Sequence, residues 1–266
     1  MKKIKTIILR TAGTNCDNET VHAFRSAGGD VESIHINALT KDRKYLEKAS
    51  ILAIPGGFTY GDDVGSGKIL ANELKSRLNS ELQRFISDGK LIIGICNGFQ
   101  VLVKMGLLPA VRPHSGFDVQ ATLCLNDSGK FFDKWVYLRT ARETRCVWTK
   151  DMPDVVNLPI AHAEGKFIPK NDSVLQKLKK NGQVVFRYTD VTGALAGYPH
   201  NPNGSVDDIA GVCDPTGRIL GMMPHPERHM TYLQHPNWRR KDVDRKGLGI
   251  GAEIFRNGVE FAKKYL

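Results

Sequence analysis

The sequence predicts an α/β fold: a doubly wound, mostly parallel sheet with helices on both faces and a site at the carboxyl ends of its strands. Short apolar runs alternate with longer helix-like stretches from residue 4 to about residue 105. One of those runs, Leu91–Ile95, passes directly through Cys96 into a helix. Beyond it, from about 117 to 220, short strand-like pieces are separated by Gly, Asn and Pro turns.

In chain order, Ile4–Leu9 reads as a first strand. A helix from about Asp17 to Ala27 ends at Gly28-Gly29. Val31–Ile36 is a second strand and Ile51–Pro55 a third, which stops in the Gly56-Gly57 turn. A helix from about Lys68 to Phe85 closes at Gly89, and the Leu91–Ile95 strand follows. Asn97–Met105 reads as a helix ended by Gly106. Later strands are expected at Val184–Tyr188, Ile209–Val212 and Ile219–Met222, with Ala252–Tyr265 as a closing helix. No internal repeat or low-complexity tract interrupts this order.

Cys96 stands in Gly94-x-Cys96-x-Gly98, a thiol version of the nucleophile elbow. A sharp strand-to-helix turn lifts the side chain into the open, and glycine on both sides removes Cβ atoms that would collide. The helix that follows points unpaired N–H groups at the sulfur, which favours thiolate. A base lies far downstream in Met223-Pro224-His225-Pro226-Glu227-Arg228. The two prolines resist helix and bias the segment to extended backbone, where residues two apart share a side. Glu227 would then hold and polarise His225, completing a Cys96–His225–Glu227 triad of nucleophile, proton carrier and orienter. Ile51–Pro55 and the Gly56-Gly57 turn supply the third part. Backbone N–H groups of Gly57 and Asn97 would converge on the oxygen of a tetrahedral intermediate. Each piece alone has a plainer reading: a buried small hydrophobe, a surface turn, a strand-terminating turn. Their joint occurrence in this order is what points to acyl chemistry.

With these residues the chain resembles the class I glutamine amidotransferases, which hydrolyse glutamine and pass ammonia to a partner. The resemblance extends through Gly13-Thr14-Asn15-Cys16-Asp17, Pro55-Gly56-Gly57-Phe58-Thr59-Tyr60-Gly61-Asp62, Ala161-His162-Ala163-Glu164-Gly165-Lys166-Phe167, Asn203-Gly204-Ser205 and Asp208-Ile209-Ala210-Gly211. It implies one amidotransferase domain over residues 1–266, with Gln100 and the backbone near Gly165 and Lys166 gripping the substrate glutamine. It also implies a partner, an ATP-dependent synthetase making formylglycinamidine ribonucleotide in de novo purine synthesis, with or without a small third subunit. ATP and Mg would belong to that synthetase, leaving this chain without cofactor or metal. The chain departs from many relatives at Asp63-Val64-Gly65-Ser66-Gly67-Lys68, where they carry Tyr-Leu-Arg and then Gly or Cys. Segments near 112–155 and Arg239–Lys246 are longer than in compact members.

Composition fits an intracellular enzyme. The 266 residues are 41% hydrophobic and 25% charged, ordinary for a globular chain able to bury a core. The 5 cysteines are scattered without a Cys-x-x-Cys pair, so neither a disulfide framework nor a zinc ribbon is expected. Thr6-Ile7-Ile8-Leu9 is too short for a signal-peptide core, and no run approaches a membrane span, so a cytoplasmic location is expected. Gly65-Ser66-Gly67-Lys68 fails as a phosphate loop, because Asp62 holds the first glycine position and Ile69 the Ser/Thr position. Gly247-x-Gly249-x-x-Ala252 lacks the βαβ unit of a dinucleotide site. His225, His229 and His235 suggest a metal only at the expense of the imidazole needed as base. His162 reads as a hydrogen-bonded structural histidine.

The net charge of +10 raises nucleic-acid binding as an alternative. The basic cluster Arg239–Lys246 is interleaved with Asp242 and Asp244, which favours a solvated face or a docking surface. A thiol hydrolase or redox-responsive chaperone on the same fold is a second alternative, opposed by Gln100 and the Gly165 segment.

Overall fold

The computed structural model describes residues 3–111, 118–240 and 247–266. Residues 112–117 and 241–246, parts of the two segments noted for their length, lie outside them.

The chain begins with β1 (Ile4–Arg10), whose Ile4, Ile7, Ile8 and Leu9 are buried. Helix α1 (Asp17–Ser26) carries Asp17 and Glu19 in its first turn and Arg25 in its last, matching the helix dipole. Strand β2 (Gly29–His35) starts two residues earlier than expected and stops one sooner. The His35 imidazole accepts from Asn37 N–H at 3.2 Å and caps α2 (Ile36–Lys41), so Ile36 belongs to a helix. Helix α3 (Lys44–Lys48) leads into β3 (Ile51–Ile54).

The helix expected over 68–85 is two helices, α4 (Lys68–Arg77) and α5 (Asn79–Ser87). Leu78 leaves helical geometry at φ −131°, ψ 19° yet is fully buried. Leu74, Leu78 and Leu82 keep four-residue spacing and are all buried, so periodicity alone cannot reveal the break. Strand β4 (Leu91–Ile95) runs into α6 (Asn97–Met105), closed by left-handed Gly106 at φ 81°.

The second half adds β5 (Ala121–Cys124), β6 (Phe132–Thr140), β7 (Val155–His162), β8 (Lys166–Pro169), α7 (Asp172–Lys180) and β9 (Val184–Thr189). Strands β10 (Ile209–Cys213) and β11 (Ile219–Met222) and helix α8 (Gly251–Tyr265) complete it. The main sheet has the order β2-β1-β3-β4-β11-β10-β9-β6-β7, while β5 and β8 form a separate antiparallel pair. From β2 to β11 every pairing is parallel, and from β11 outward every pairing is antiparallel.

The chain moves one way from β1 to β2 and the other way from β1 to β3 and β4. Right-handed crossovers then place helices on opposite faces. Helix α1 accordingly packs with α8 and β1, whereas α6 packs on β3, β4 and β11 with α4 behind it. The carboxyl ends of β1, β3, β4 and β11 stand side by side, and the chain leaving each delivers one part of the site.

Candidate active site

Cys96 leaves β4 at φ 51°, ψ −104°, a backbone conformation that non-glycine residues adopt only under constraint. Its N–H bonds the Met222 carbonyl of β11 at 2.8 Å, and its carbonyl accepts Gln100 N–H at 3.1 Å in α6. The flanking glycines are required as expected. A Cβ on Gly98 would lie 1.8 Å from the Ile54 carbonyl oxygen, and one on Gly94 2.6 Å from the Gly98 oxygen. The thiol lies 3.7 Å from the Ala161 carbonyl at the end of β7.

His225 stands just beyond β11, the parallel neighbour of β4, with its N–H on the Pro159 carbonyl at 2.8 Å. Its Nδ1 is 2.6 Å from Glu227 Oε1, and both residues are buried. The sequence reading expected extended backbone here. Pro226–Arg228 instead forms a 3-10 turn with proline at its first positions, where a missing N–H costs nothing. The turn, not strand alternation, brings Glu227 under the ring. The carboxylate accepts a hydrogen bond from Nδ1–H, which leaves Nε2 as the nitrogen that exchanges a proton. Among the described residues, His225 Nε2 and Glu227 Oε2 are buried without a hydrogen-bond partner. Burial opposes charge on His225, but the Glu227 carboxylate, followed by Cys96 and Cys16, outweighs it and holds the imidazolium well above its ordinary range.

The Gly56-Gly57 turn, the candidate oxyanion site, follows β3. Gly56 lies against the catalytic groups: a Cβ there would sit 2.7 Å from His225 Cε1, 3.2 Å from Cys16 Sγ and 3.4 Å from Cys96 Cβ. Gly57 is at φ 146°, and a Cβ on it would meet the Gly13 oxygen at 2.7 Å. Gly56 lies outside the left-handed region, so Gly56→Ala acts first on the His225, Cys16 and Cys96 side chains that its methyl would meet. It is expected to lower the melting temperature by only a few degrees, the result of about 1–3 kcal/mol of overpacking, while turnover at this site falls about 100-fold, as a site misplaced by an ångström does. Parallel thermal melts and steady-state assays check this, and equal loss of fold and activity would refute it.

Asn97 is buried and multiply bonded. Its Oδ1 accepts from Thr59 Oγ1 at 2.7 Å, and its Nδ2 donates to Asp62 Oδ1 at 3.1 Å and Gln100 Oε1 at 3.0 Å. The other end of Gln100 donates to the Glu164 carbonyl, so both polar ends of its side chain are engaged within the protein. Gly165 is held on both sides, its N–H by Asn126 Oδ1 at 3.1 Å and its carbonyl by Asn203 Nδ2 at 2.9 Å. The Lys166 side chain turns to Asp127. Gln100, Asn126 and Asn203 thus fix the 164–165 backbone beside the elbow helix.

Several partners were not legible in the sequence. Asn126 is 2% exposed and also bonds the His162 carbonyl and ring, in agreement with a structural His162. Burial, with the nearby His225 charge, drives His162 down to about 3, so it is neutral at working pH. Lys104, Ser66, Asp62 and Glu164 form a half-buried polar cluster tying the 59–67 loop to α6 and to the 164–166 backbone. Burial raises Asp62 and lowers Lys104.

Cys16, His225 and Glu227 are the one such group among the described residues whose donor atoms could meet a metal ion, lying within 4.8 Å of one another. The dyad bond already occupies Nδ1, and Arg228 Nη2 donates to Cys16 Sγ at 3.2 Å. A guanidinium in that position opposes a second cation. His229 and His235 meet Trp135 edge-on instead and bond to Asn157.

Residues 3–262 match the family model described as a CobB/CobQ-like glutamine amidotransferase domain. The phosphoribosylformylglycinamidine synthase subunit PurQ of Dehalococcoides mccartyi is 45% identical over 265 residues, covering 99% of this chain and 100% of that protein. The subunit of the same name from Methanococcus maripaludis is 40% identical over 270 residues, 98% of each chain. Among solved structures, a chain of PurLQS from Thermotoga maritima aligns with TM-score 0.73 and 30% identity, covering 98% of this chain and 99% of that one. A glutamine amidotransferase from the same organism shares the fold at TM-score 0.58 and 14% identity.

Proposed function

Because the chain belongs to the CobB/CobQ-like glutamine amidotransferase family, we propose that it is the glutaminase subunit of a phosphoribosylformylglycinamidine synthase. It hydrolyses glutamine and supplies the ammonia to an ATP-dependent synthetase that makes formylglycinamidine ribonucleotide. The observation that carries this reading is the strained Cys96 elbow beside the buried His225–Glu227 pair, on the ends of two adjacent parallel strands.

In the proposed reaction the Cys96 sulfur attacks the side-chain amide carbon of glutamine. Gly57 and Asn97 N–H groups stabilise the developing oxyanion. His225, held by Glu227, protonates the departing nitrogen, so ammonia leaves and a γ-glutamyl thioester remains. The neutral imidazole then takes a proton from water, which attacks the thioester, releases glutamate and restores the thiol. Gln100, through the Glu164 carbonyl it holds, and the backbone of Gly165 and Lys166 act in substrate binding.

The chain itself takes no cofactor in this reading; ATP and Mg serve the synthetase, and a small third subunit would leave the chemistry here unaltered. Among the described residues no helix is long and apolar enough to cross a membrane, and we place the enzyme in the cytoplasm, where its acceptor nucleotide is made.

The glutaminase is expected to be gated by its synthetase. Tyr60, Asp62 and Val64 all have positive φ, and such strain at non-glycine residues costs about 1–3 kcal/mol each. This loop follows directly on the oxyanion turn. Within the 63–68 departure Ser66 and Gly67 are buried, whereas Asp63, Val64 and Lys68 are exposed, Val64 at 82%, and these three are the surface on which the synthetase would dock. The isolated chain should hydrolyse glutamine about 10²–10³-fold more slowly than with synthetase, ATP and acceptor, the cost of a misdirected oxyanion donor. Comparing the two rates tests the function as well as the gate: full activity alone removes the gate, and no glutaminase activity under either condition removes the function.

A further inference from the structure

Cys16 is a buried thiol at the site that the triad mechanism leaves unused. Its segment leaves β1 and runs antiparallel beside the oxyanion turn. Tyr60 N–H bonds the Ala12 carbonyl at 2.8 Å, Phe58 N–H the Gly13 carbonyl at 2.9 Å, and Cys16 N–H the Gly56 carbonyl at 3.2 Å. Thr14 and Gly57 pair as a β-bridge between them.

The last of these bonds has a specific geometric consequence. The Gly56 carbonyl and the Gly57 N–H belong to one peptide plane, on opposite edges of it. By holding the carbonyl, Cys16 N–H aims the Gly57 N–H the other way. A flip of that peptide breaks the Cys16 bond.

The Cys16 side chain reaches the other half of the machinery. Its Sγ receives a hydrogen bond from Arg228 Nη2 at 3.2 Å, donates to Asn15 Oδ1 at 3.1 Å and lies 4.0 Å from His225 Nδ1. Arg228 N–H in turn bonds the His225 carbonyl at 3.2 Å, so the thiol touches both ends of the turn that carries the dyad. Its own carbonyl is anchored by Thr20 N–H at 3.1 Å and Thr20 Oγ1 at 2.6 Å at the start of α1.

We propose that Cys16 is a positioning residue of the glutaminase reaction, coupling the orientation of the Gly57 oxyanion donor to the placement of the His225 imidazole. The proposal rests on the glutaminase reading above. A side chain that merely filled space would support binding and turnover alike. One that aligns a donor with an acid–base group acts on the transition state, where the oxyanion exists, and leaves ground-state binding of glutamine nearly untouched.

The test uses the assembled complex with synthetase, ATP and acceptor nucleotide. Cys16→Ala keeps the backbone N–H that holds the Gly56 carbonyl and removes the Sγ contacts with Arg228, Asn15 and His225, so the imidazole loses its register with the oxyanion donor and glutamine-dependent kcat should fall about 10- to 100-fold. The glutamine KM should stay within about twofold, since uniform binding is not what is lost. An aldehyde analogue of glutamine supplies a second readout. Cys96 sulfur adds to its carbonyl carbon, the thiol proton passes to the oxygen, and the adduct sits with that oxygen at the oxyanion position. Its affinity should fall in Cys16→Ala by about the same factor as kcat/KM. Cys16→Ser, which keeps two hydrogen-bonding contacts, should recover part of both losses, and ammonia-dependent synthesis should persist throughout. Unchanged kcat and aldehyde affinity in Cys16→Ala, or an equal fall in ammonia-dependent synthesis, would overturn the proposal. Cys96→Ala run in parallel separates the two levels: if it retains glutamine turnover, the triad itself is wrong, and if it is inactive while Cys16→Ala behaves as wild type, only the coupling role fails.

Discussion

Cys96→Ala should abolish glutamine-dependent synthesis by the assembled enzyme, on the order of 10⁶ in turnover, while ammonia-dependent synthesis continues. That loss corresponds to about 8 kcal/mol of transition-state stabilisation. The prediction is sharp because alanine removes only the sulfur from a residue whose backbone is fixed by Met222 on one side and Gln100 on the other. The elbow, the Asn97 N–H and the Gly56–Gly57 turn should survive. External ammonia bypasses the thiol, so synthesis from it reports whether the complex still assembles. Equal loss of both activities would indicate failed docking, and retained glutamine hydrolysis would remove Cys96 from the mechanism.

His225→Ala should be nearly as damaging, whereas Glu227→Gln should cost less, on the order of 10⁴, because it disturbs an orienter and leaves the proton carrier in place. The two variants also differ in pH dependence. Glu227 is the chief group outweighing the burial of His225, with Cys96 and Cys16 assisting. The His225 imidazolium therefore persists above the ordinary imidazole range of about 6.5 and is lost only as pH rises through its raised value. Glu227→Gln removes the principal stabilising charge, so the imidazolium is lost at lower pH. The alkaline limb of kcat/KM should move down accordingly. Neutral His162, held near 3, contributes no titration there. Rate profiles for the wild type and Glu227→Gln decide the matter: an alkaline limb that stays in place would mean that Glu227 does not govern the His225 charge, and a wild-type rate in His225→Ala would dismiss that residue.

Much of the sheet was legible because its strands are short, apolar and bounded by glycine. Leu91–Ile95 and Ile219–Met222 are found with the bounds expected of them. The elbow was legible for a stronger reason. Its two glycines answer to main-chain collisions, against Ile54 and Gly98 oxygens, and a requirement of that kind leaves a residue-level trace. The break at Leu78 left none, because burial of a leucine at helical spacing looks the same in a bent helix as in a straight one. The His225–Glu227 contact was anticipated through the wrong backbone: prolines signal departure from helix but do not distinguish an extended segment from a 3-10 turn.

By itself the sequence determined the elbow at Cys96, the nearness of Glu227 to His225, the glycines packed beside them, and the order of strands and helices that puts them at carboxyl ends. These are local requirements, met by residue type within a few positions of the chemistry. Only the tertiary structure decided that β11 lies beside β4, bringing His225 across from Cys96, and that β1 delivers Cys16 beneath Gly56 and against Arg228. Contacts between residues so far apart in the chain depend on sheet order and peptide orientation. Cysteine, asparagine and arginine satisfy such contacts in many surroundings, so their identities alone could not disclose them.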